Sequence, residues 1–274
     1  MIRLVVNADD LGLHPAIDSG ILRAHQEGIV SSASLLVTGR MAADAVARAR
    51  AQRLALGVHL CLTSRLSPAL PARDVASIAP GGAFYPSWAQ LVLAWARGGI
   101  RMGEVERELR AQLHRARELG AAADHLDGHQ HVHLLPGIAE VVRRIADEEG
   151  LPVRWPRERA SRQWLHAPPA GLKSALLSGL AIAHRRKPRR IVRARGAFSS
   201  GRLDEGHLLE IVDGLDDGDH ELICHPGEPP GAVPEDPEWR YGWSTELAAL
   251  CSRRVLERVR ARGIQLTTYG QLFS

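Results

Sequence analysis

Lysine is nearly missing from this chain: of 35 basic residues, all but Lys173 and Lys187 are arginine. Guanidinium groups do not titrate, so the pI stands near 9.3 although the formal net charge is only +4. Taken alone, that balance points to an anionic partner such as nucleic acid or a membrane surface. Cysteine is also scarce. Cys61, Cys224 and Cys251 are odd in number and far apart, with no C-x-x-C. This argues against a disulfide framework or a Cys-rich zinc site and favours a reducing cytoplasm. The opening MIRLVVNADD has no charged leader followed by a long apolar stretch, so a signal peptide is not expected. The longest mostly apolar run, 175–183, falls short of the roughly 20 residues that span a bilayer. Neither G-x-G-x-x-G nor G-x-x-x-x-G-K-[ST] occurs, leaving nucleotide phosphate loops without support.

What is present is ordinary for a globular protein. The chain has 274 residues, 45% hydrophobic and 24% charged, which excludes disordered, collagen-like and coiled-coil classes. Short apolar runs alternate with helical patterns. Strands are predicted at Leu4–Val6, Ser34–Val37, Leu56–Leu62, His125–Asp127, Pro152–Trp155, Glu221–Cys224 and Gln265–Thr267. Helices are predicted at Pro15–Glu27, Met41–Arg53, Gly103–Leu119, Ile138–Glu149, Leu172–His184, His207–Val212 and Thr245–Arg262, and a long connection at Thr63–Pro86. About seven strands alternating with helices imply parallel pairing through crossovers, and this length fits an α/β TIM-like barrel. One domain over 1–274 is expected, with a basic insertion around 160–200.

The chemistry-bearing residues gather at strand ends. The first strand runs into Asn7-Ala8-Asp9-Asp10-Leu11-Gly12. Neighbouring strand side chains face opposite ways, but at a strand end entering a glycine turn two carboxylates can converge. A turn with a helix-capping Asp is the plainer alternative. His59 sits in the apolar third strand, where a hydrogen-bonded core imidazole competes with a ligand. The segment 125–133 holds four His and one Asp in nine residues: His125, Asp127, His129, His131 and His133. An extended backbone would set His129, His131 and His133 on one side. The competing reading is an exposed His-rich loop. His225 follows the Glu221–Cys224 strand and precedes Pro226-Gly227, at the barrel end that carries catalysis. One carboxylate and two imidazoles with an open position suit a divalent metal; a neighbouring carboxylate and a distant His complete the parts of metal-assisted hydrolysis.

In this order the motifs NADDLG (7–12), SSAS (31–34), GVHL (57–60), HLDGHQHVHLLPGI (125–138) and CHPGE (224–228) resemble the YdjC-like carbohydrate deacetylases. The resemblance covers most of the chain. It implies a barrel related to polysaccharide deacetylases and release of acetate from an N-acetylated amino sugar. The metal ligands map onto Asp10, His59 and His129, the base onto Asp9 and the general acid onto His225. Arg154, in VRWP, is similar to an arginine that orients the base. Asp127 would orient a ligating His, and His131 and His133 would support the ligands or face substrate. One divalent ion is implied, with zinc or magnesium preferred and manganese, cobalt or nickel compatible. The chain departs from the pattern at Leu11, where the family usually has Phe, and at GAFSSG (196–201), where an acidic residue is often found.

Other hydrolases on the same barrel, a phosphoesterase or an amidase, share these parts, and a non-enzymatic binding protein would lack one. The segment 184–195, HRRKPRRIVRAR, holds seven basic residues and no acid. Without those seven, acidic residues outnumber basic ones, so the high pI describes one segment. It reads as a solvated insertion over the barrel mouth or a dock for a phosphate-bearing or lipid-linked substrate at a membrane surface. No aromatics interleave with it, so nucleic acid is not an expected partner. A homodimer is a further possible state.

Overall fold

Strand β1 (Ile2–Leu11) is the axis of the molecule. In the computed structural model, the described residues are 1–156, 179, 190–197, 199–229 and 241–274. One edge of β1 pairs with β6 (Gly218–Cys224) from Ile2 to Ala8. The other edge is shared: β7 (Gln265–Thr267) takes Arg3–Val5, and β2 (Ser32–Leu35) takes Asn7, Ala8 and Leu11. The sheet continues through β3 (Ala55–Leu60) to β4 (Ala123–Gly128) on one side and through β6 to β5 (Val192–Arg195) on the other. All pairings are parallel. The sheet curls into a TIM-like barrel.

Strand alternation divides the residues. Leu4, Val6 and Ala8 face outward into the main core beneath the helices. Val5, Asn7 and Asp9 face inward, with Ser34, His59, His125, Asp127 and Glu221 from the neighbouring strands. The barrel interior is therefore mostly polar, floored by a small apolar cluster of Val5, Tyr269 and Leu272.

The covering helices are α1 (Pro15–Glu27), α2 (Ala42–Ala51), α3 (Trp88–Ala96), α4 (Met102–Glu118), α5 (Ile138–Glu149), α6 (Glu205–Asp213), α7 (Trp243–Leu250), α8 (Arg253–Ala261) and the short α9 (Tyr269–Phe273). Pro at the first turn of α1 and left-handed Gly150 at the end of α5 set those helices where the sequence predicts them. Among the described residues no helix is long and apolar enough to cross a membrane.

Four expectations are corrected. The helix expected at Thr245–Arg262 is two, because Ser252 takes an extended backbone (ψ 129°) and its hydroxyl donates to Glu205 Oε2 at 2.5 Å. Helix α3 lies just beyond the long connection and was not expected, since WAQLVLAWA has no polar face to show a helical period. Val192–Arg195, read as part of a solvated insertion, is a strand in register with Asp219–Leu222. Its charge is paired: Arg193 bonds Asp216 and the Asp217 carbonyl, and Arg190 lies 3.4 Å from Asp219. Most of the rest of the insertion, including the predicted helix Leu172–His184, lies outside the described residues. The strand expected at Pro152–Trp155 is reduced to one bridge, Leu126 to Val153.

Candidate functional site

The two carboxylates of the NADD motif meet because β1 breaks its own alternation. Asp10 has a left-handed backbone, φ +73°, and the β1–β2 register shifts between Ala8 and Leu11. Asp is among the few residues that take this conformation at modest cost. The bulge turns Asp10 onto the face that Asp9 already occupies. Both line one cleft, of about 440 Å³, with His59, His129 and His225.

Asp10, His59 and His129 are all buried, and one ligand atom from each lies within 4.8 Å of the others. Asp10 Oδ1 stands 2.9 Å from His129 Nδ1 and 3.5 Å from His59 Nε2. It nonetheless accepts no well-aligned hydrogen bond. Burial would raise the Asp10 carboxyl, yet the adjoining His129 and His59 hold it below the usual carboxylate range. His59 Nδ1 bonds Asp127 Oδ1 at 2.7 Å, which leaves Nε2 directed at Asp10. Burial alone would depress His59, but Asp127 and Asp9 push it up to about 10 when no cation is present. A mixed carboxylate and imidazole set of this kind, with an orphaned buried oxygen at its centre, could hold a divalent metal ion.

Asp9 is held from behind. Arg154 Nη1 donates to Asp9 Oδ1 at 2.8 Å and Nη2 to Oδ2 at 2.7 Å, while Asn7 Nδ2 donates to Oδ1 at 2.8 Å. Arg154 also contacts Asp127 Oδ2 at 2.7 Å and Glu221 Oε1 at 3.3 Å. Burial disfavours its charge, but these three carboxylates raise it well above the ordinary arginine value. Ser34 Oγ donates to Asp127 Oδ2 at 2.6 Å and accepts from Asn7 at 2.7 Å, tying the β1 and β4 sides together.

The histidine run is not extended. Residues His129–Leu134 form a tight turn in which Gln130 and His131 have φ of 53° and 59°. His129 stays beside Asp10 and His59 with Nε2 2.9 Å from Ser64 Oγ, and His131 lines the cleft. His133 turns away: its Nε2 meets the Arg154 carbonyl at 2.9 Å, and burial lowers it to about 4. His125 lies inside the barrel, pushed up to about 9 because Asp124 and Asp127 outweigh burial. Its ring fills the space over Gly57, where a Cβ would lie 2.2 Å away.

His225 sits at the end of β6. Its backbone N–H donates to Glu246 Oε2 at 2.6 Å, its ring packs edge-on to Tyr241, and Nδ1 is buried without a partner. The loop is pressed onto α1, where Gly20 meets Gly227 so closely that a Cβ would lie 2.2 Å from its Cα. Ala197 and Ser200 of the GAFSSG segment line the cleft, so two small side chains stand on that wall. Arg154 and Asp127 support the site from behind rather than lining it. Sequence reading missed Asn7, Ser34, Ser64, Glu221, Glu246 and Tyr269. Alternation does place Asn7 beside Asp9, and Ser34 lies in a motif already noted; Glu246, on a distant helix, carries no local signal.

The family model for YdjC-like protein matches residues 3–261. Carbohydrate deacetylases of Mus musculus and Brevibacillus brevis are 35% and 31% identical to this chain. The alignments cover 100% and 98% of this chain and 96% and 99% of those proteins. The solved structure of a candidate cellobiose-phosphate cleavage protein from Enterococcus faecalis V583 superposes with a TM-score of 0.77 at 27% identity. It covers 99% of this chain and 98% of that one. The chain belongs to the YdjC-like protein family.

Proposed function

We propose that this chain is a metal-dependent hydrolase that removes the acetyl group from an N-acetylated amino sugar, giving acetate and a free amine. The observation that carries this reading is Asp9 standing beside the buried Asp10, His59 and His129 set in one cleft with His225. The names of the full-length relatives supply the sugar. Asp10, His59 and His129 would hold the ion, with zinc and magnesium the first candidates. When bound, a divalent ion lowers the pKa of water and polarises a carbonyl.

The chain's own residues supply the proton transfers. Asp9, fixed by Arg154 and Asn7, takes a proton from the attacking water. Oxygen adds to the acetamide carbon and the C–N bond breaks. His225, held by Glu246 through its backbone, gives the departing nitrogen a proton. Asp127 holds His59 in one ring orientation.

A panel of N-acetylated sugars assayed for acetate, with and without chelator, tests the reading. Chelator-sensitive acetate release is expected. Asp9→Asn should lose at least about 10³-fold in kcat while keeping its metal, and His129→Ala should lose the metal. Phosphate release from sugar phosphates without any acetate would replace the deacetylase reading with a phosphoesterase one.

A further inference from the structure

Beneath Asp9 the barrel floor carries two polar groups that the proposed chemistry leaves unused, Glu221 and the Tyr269 hydroxyl. Both are buried. Glu221 sits on β6 opposite Val5, facing inward. Its Oε1 receives Arg154 Nη1 at 3.3 Å, and its Oε2 receives the Tyr269 hydroxyl at 2.7 Å. The same Nη1 binds Asp9 Oδ1 at 2.8 Å. A continuous chain of contacts therefore runs from Tyr269, the first residue of α9, to the proposed base.

An apolar pair could fill this space without desolvating a carboxylate, and a phenylalanine could floor the barrel as well as a tyrosine. What the polar pair adds is direction. The guanidinium plane is set by three carboxylates: Asp9 at both terminal nitrogens, Asp127 at Nη2 and Glu221 at Nη1. Glu221 can present Oε1 to Arg154 only while Oε2 is fixed, and the Tyr269 hydroxyl fixes it. The helix is itself anchored: Thr268 caps it by accepting from Gln271 N, and Gly270 N donates to Asp124 Oδ2 at 2.8 Å. The Tyr269 ring also stacks on His125, centroids 4.3 Å apart, and Asp124 Oδ1 lies 2.6 Å from His125 Nδ1.

We propose that Tyr269 is a positioning residue for Asp9, acting through Glu221 and Arg154, so that the floor of the barrel aims the base at its mouth. The proposal rests on Asp9 being the base. Tyr269→Phe keeps the ring and its stacking and removes only the hydroxyl. Its kcat for acetate release should fall by about tenfold or more, with KM and bound metal unchanged. Glu221→Gln should behave alike. Leu272→Ala, in the same helix and floor, should lower the urea midpoint and leave kcat unchanged. A crystal structure of Tyr269→Phe should show Glu221 turned and the two-point contact of Arg154 on Asp9 reduced to one. Wild-type kcat with an unmoved Arg154 in Tyr269→Phe would overturn the proposal. So would equal kcat losses in Tyr269→Phe and Leu272→Ala tracking lost stability. Absence of acetate release by the unmutated protein would instead sink the deacetylase reading, while the crystal structure would still judge the role of Tyr269.

Discussion

Arg154 grips Asp9 at two points, Nη1 on Oδ1 and Nη2 on Oδ2, across 145 positions of sequence. The pairing needs a planar fork, and lysine has none. Arg154→Lys keeps the charge but gives Asp9 one flexible partner. Its kcat should fall about 10²-fold while metal content stays unchanged, as read by steady-state kinetics beside elemental analysis. Undiminished turnover would show that Asp9 needs no such support.

Asp127 bonds His59 and does not line the cleft. Its Oδ1 takes the Nδ1 contact at 2.7 Å and leaves Nε2 for a cation. Losing such a partner commonly costs 10- to 100-fold in metal affinity. Asp127→Asn should weaken zinc binding by about that factor in competition with a chromophoric chelator. Affinity equal to wild type would remove Asp127 from the metal's support.

Gly57 is a space requirement. A Cβ there would fall 2.2 Å from the His125 ring, which is boxed in by the Tyr269 stack and by Asp124. Gly57→Ala should destabilise the fold by about 1–3 kcal/mol, visible as a lower urea midpoint. A midpoint at the wild-type value would mean that His125 can move aside freely.

Asp18 makes stability depend on pH. Its Oδ1 accepts from Gly12 N at 2.6 Å, and its other oxygen is buried without a partner. Burial raises its carboxyl from 3.8 to about 7, against the lowering effect of the Gly12 N–H and Arg48. A folded value above the unfolded one means a stabilising contribution complete below pH 3.8 and lost as pH rises through 7. Asp18→Asn keeps the acceptor and cannot ionise. Relative to wild type it should gain stability between pH 4 and 8, by at most about 4 kcal/mol. A difference that stays flat over that range would refute the shift.

Local chemistry was legible in the sequence and remote pairing was not. Pro15 and Gly150 mark helix ends by backbone geometry alone, so α1 and α5 fall where their residues place them. The meeting of Asp9 and Asp10 could be anticipated from a strand running into Gly12, though not the left-handed Asp10 that achieves it. Alternation misled at His129–His133, because a periodic pattern presumes an extended backbone and two consecutive left-handed residues abolish it. Arg193 read as free charge because its partner Asp216 belongs to a turn that only the fold brings near. Glu221 read as a strand residue and Tyr269 lay beyond the last predicted strand; the two meet only where β6 and α9 close on Arg154.

The shared edge of β1 has a consequence for biosynthesis. Arg3, Leu4 and Val5 are synthesised long before their partners Gln265, Leu266 and Thr267. Until those have been made, the strand carrying the two aspartates has an open flank of unpaired amides and carbonyls. The nascent chain must keep that flank from pairing elsewhere while all the strands and helices between β1 and β7 are being made.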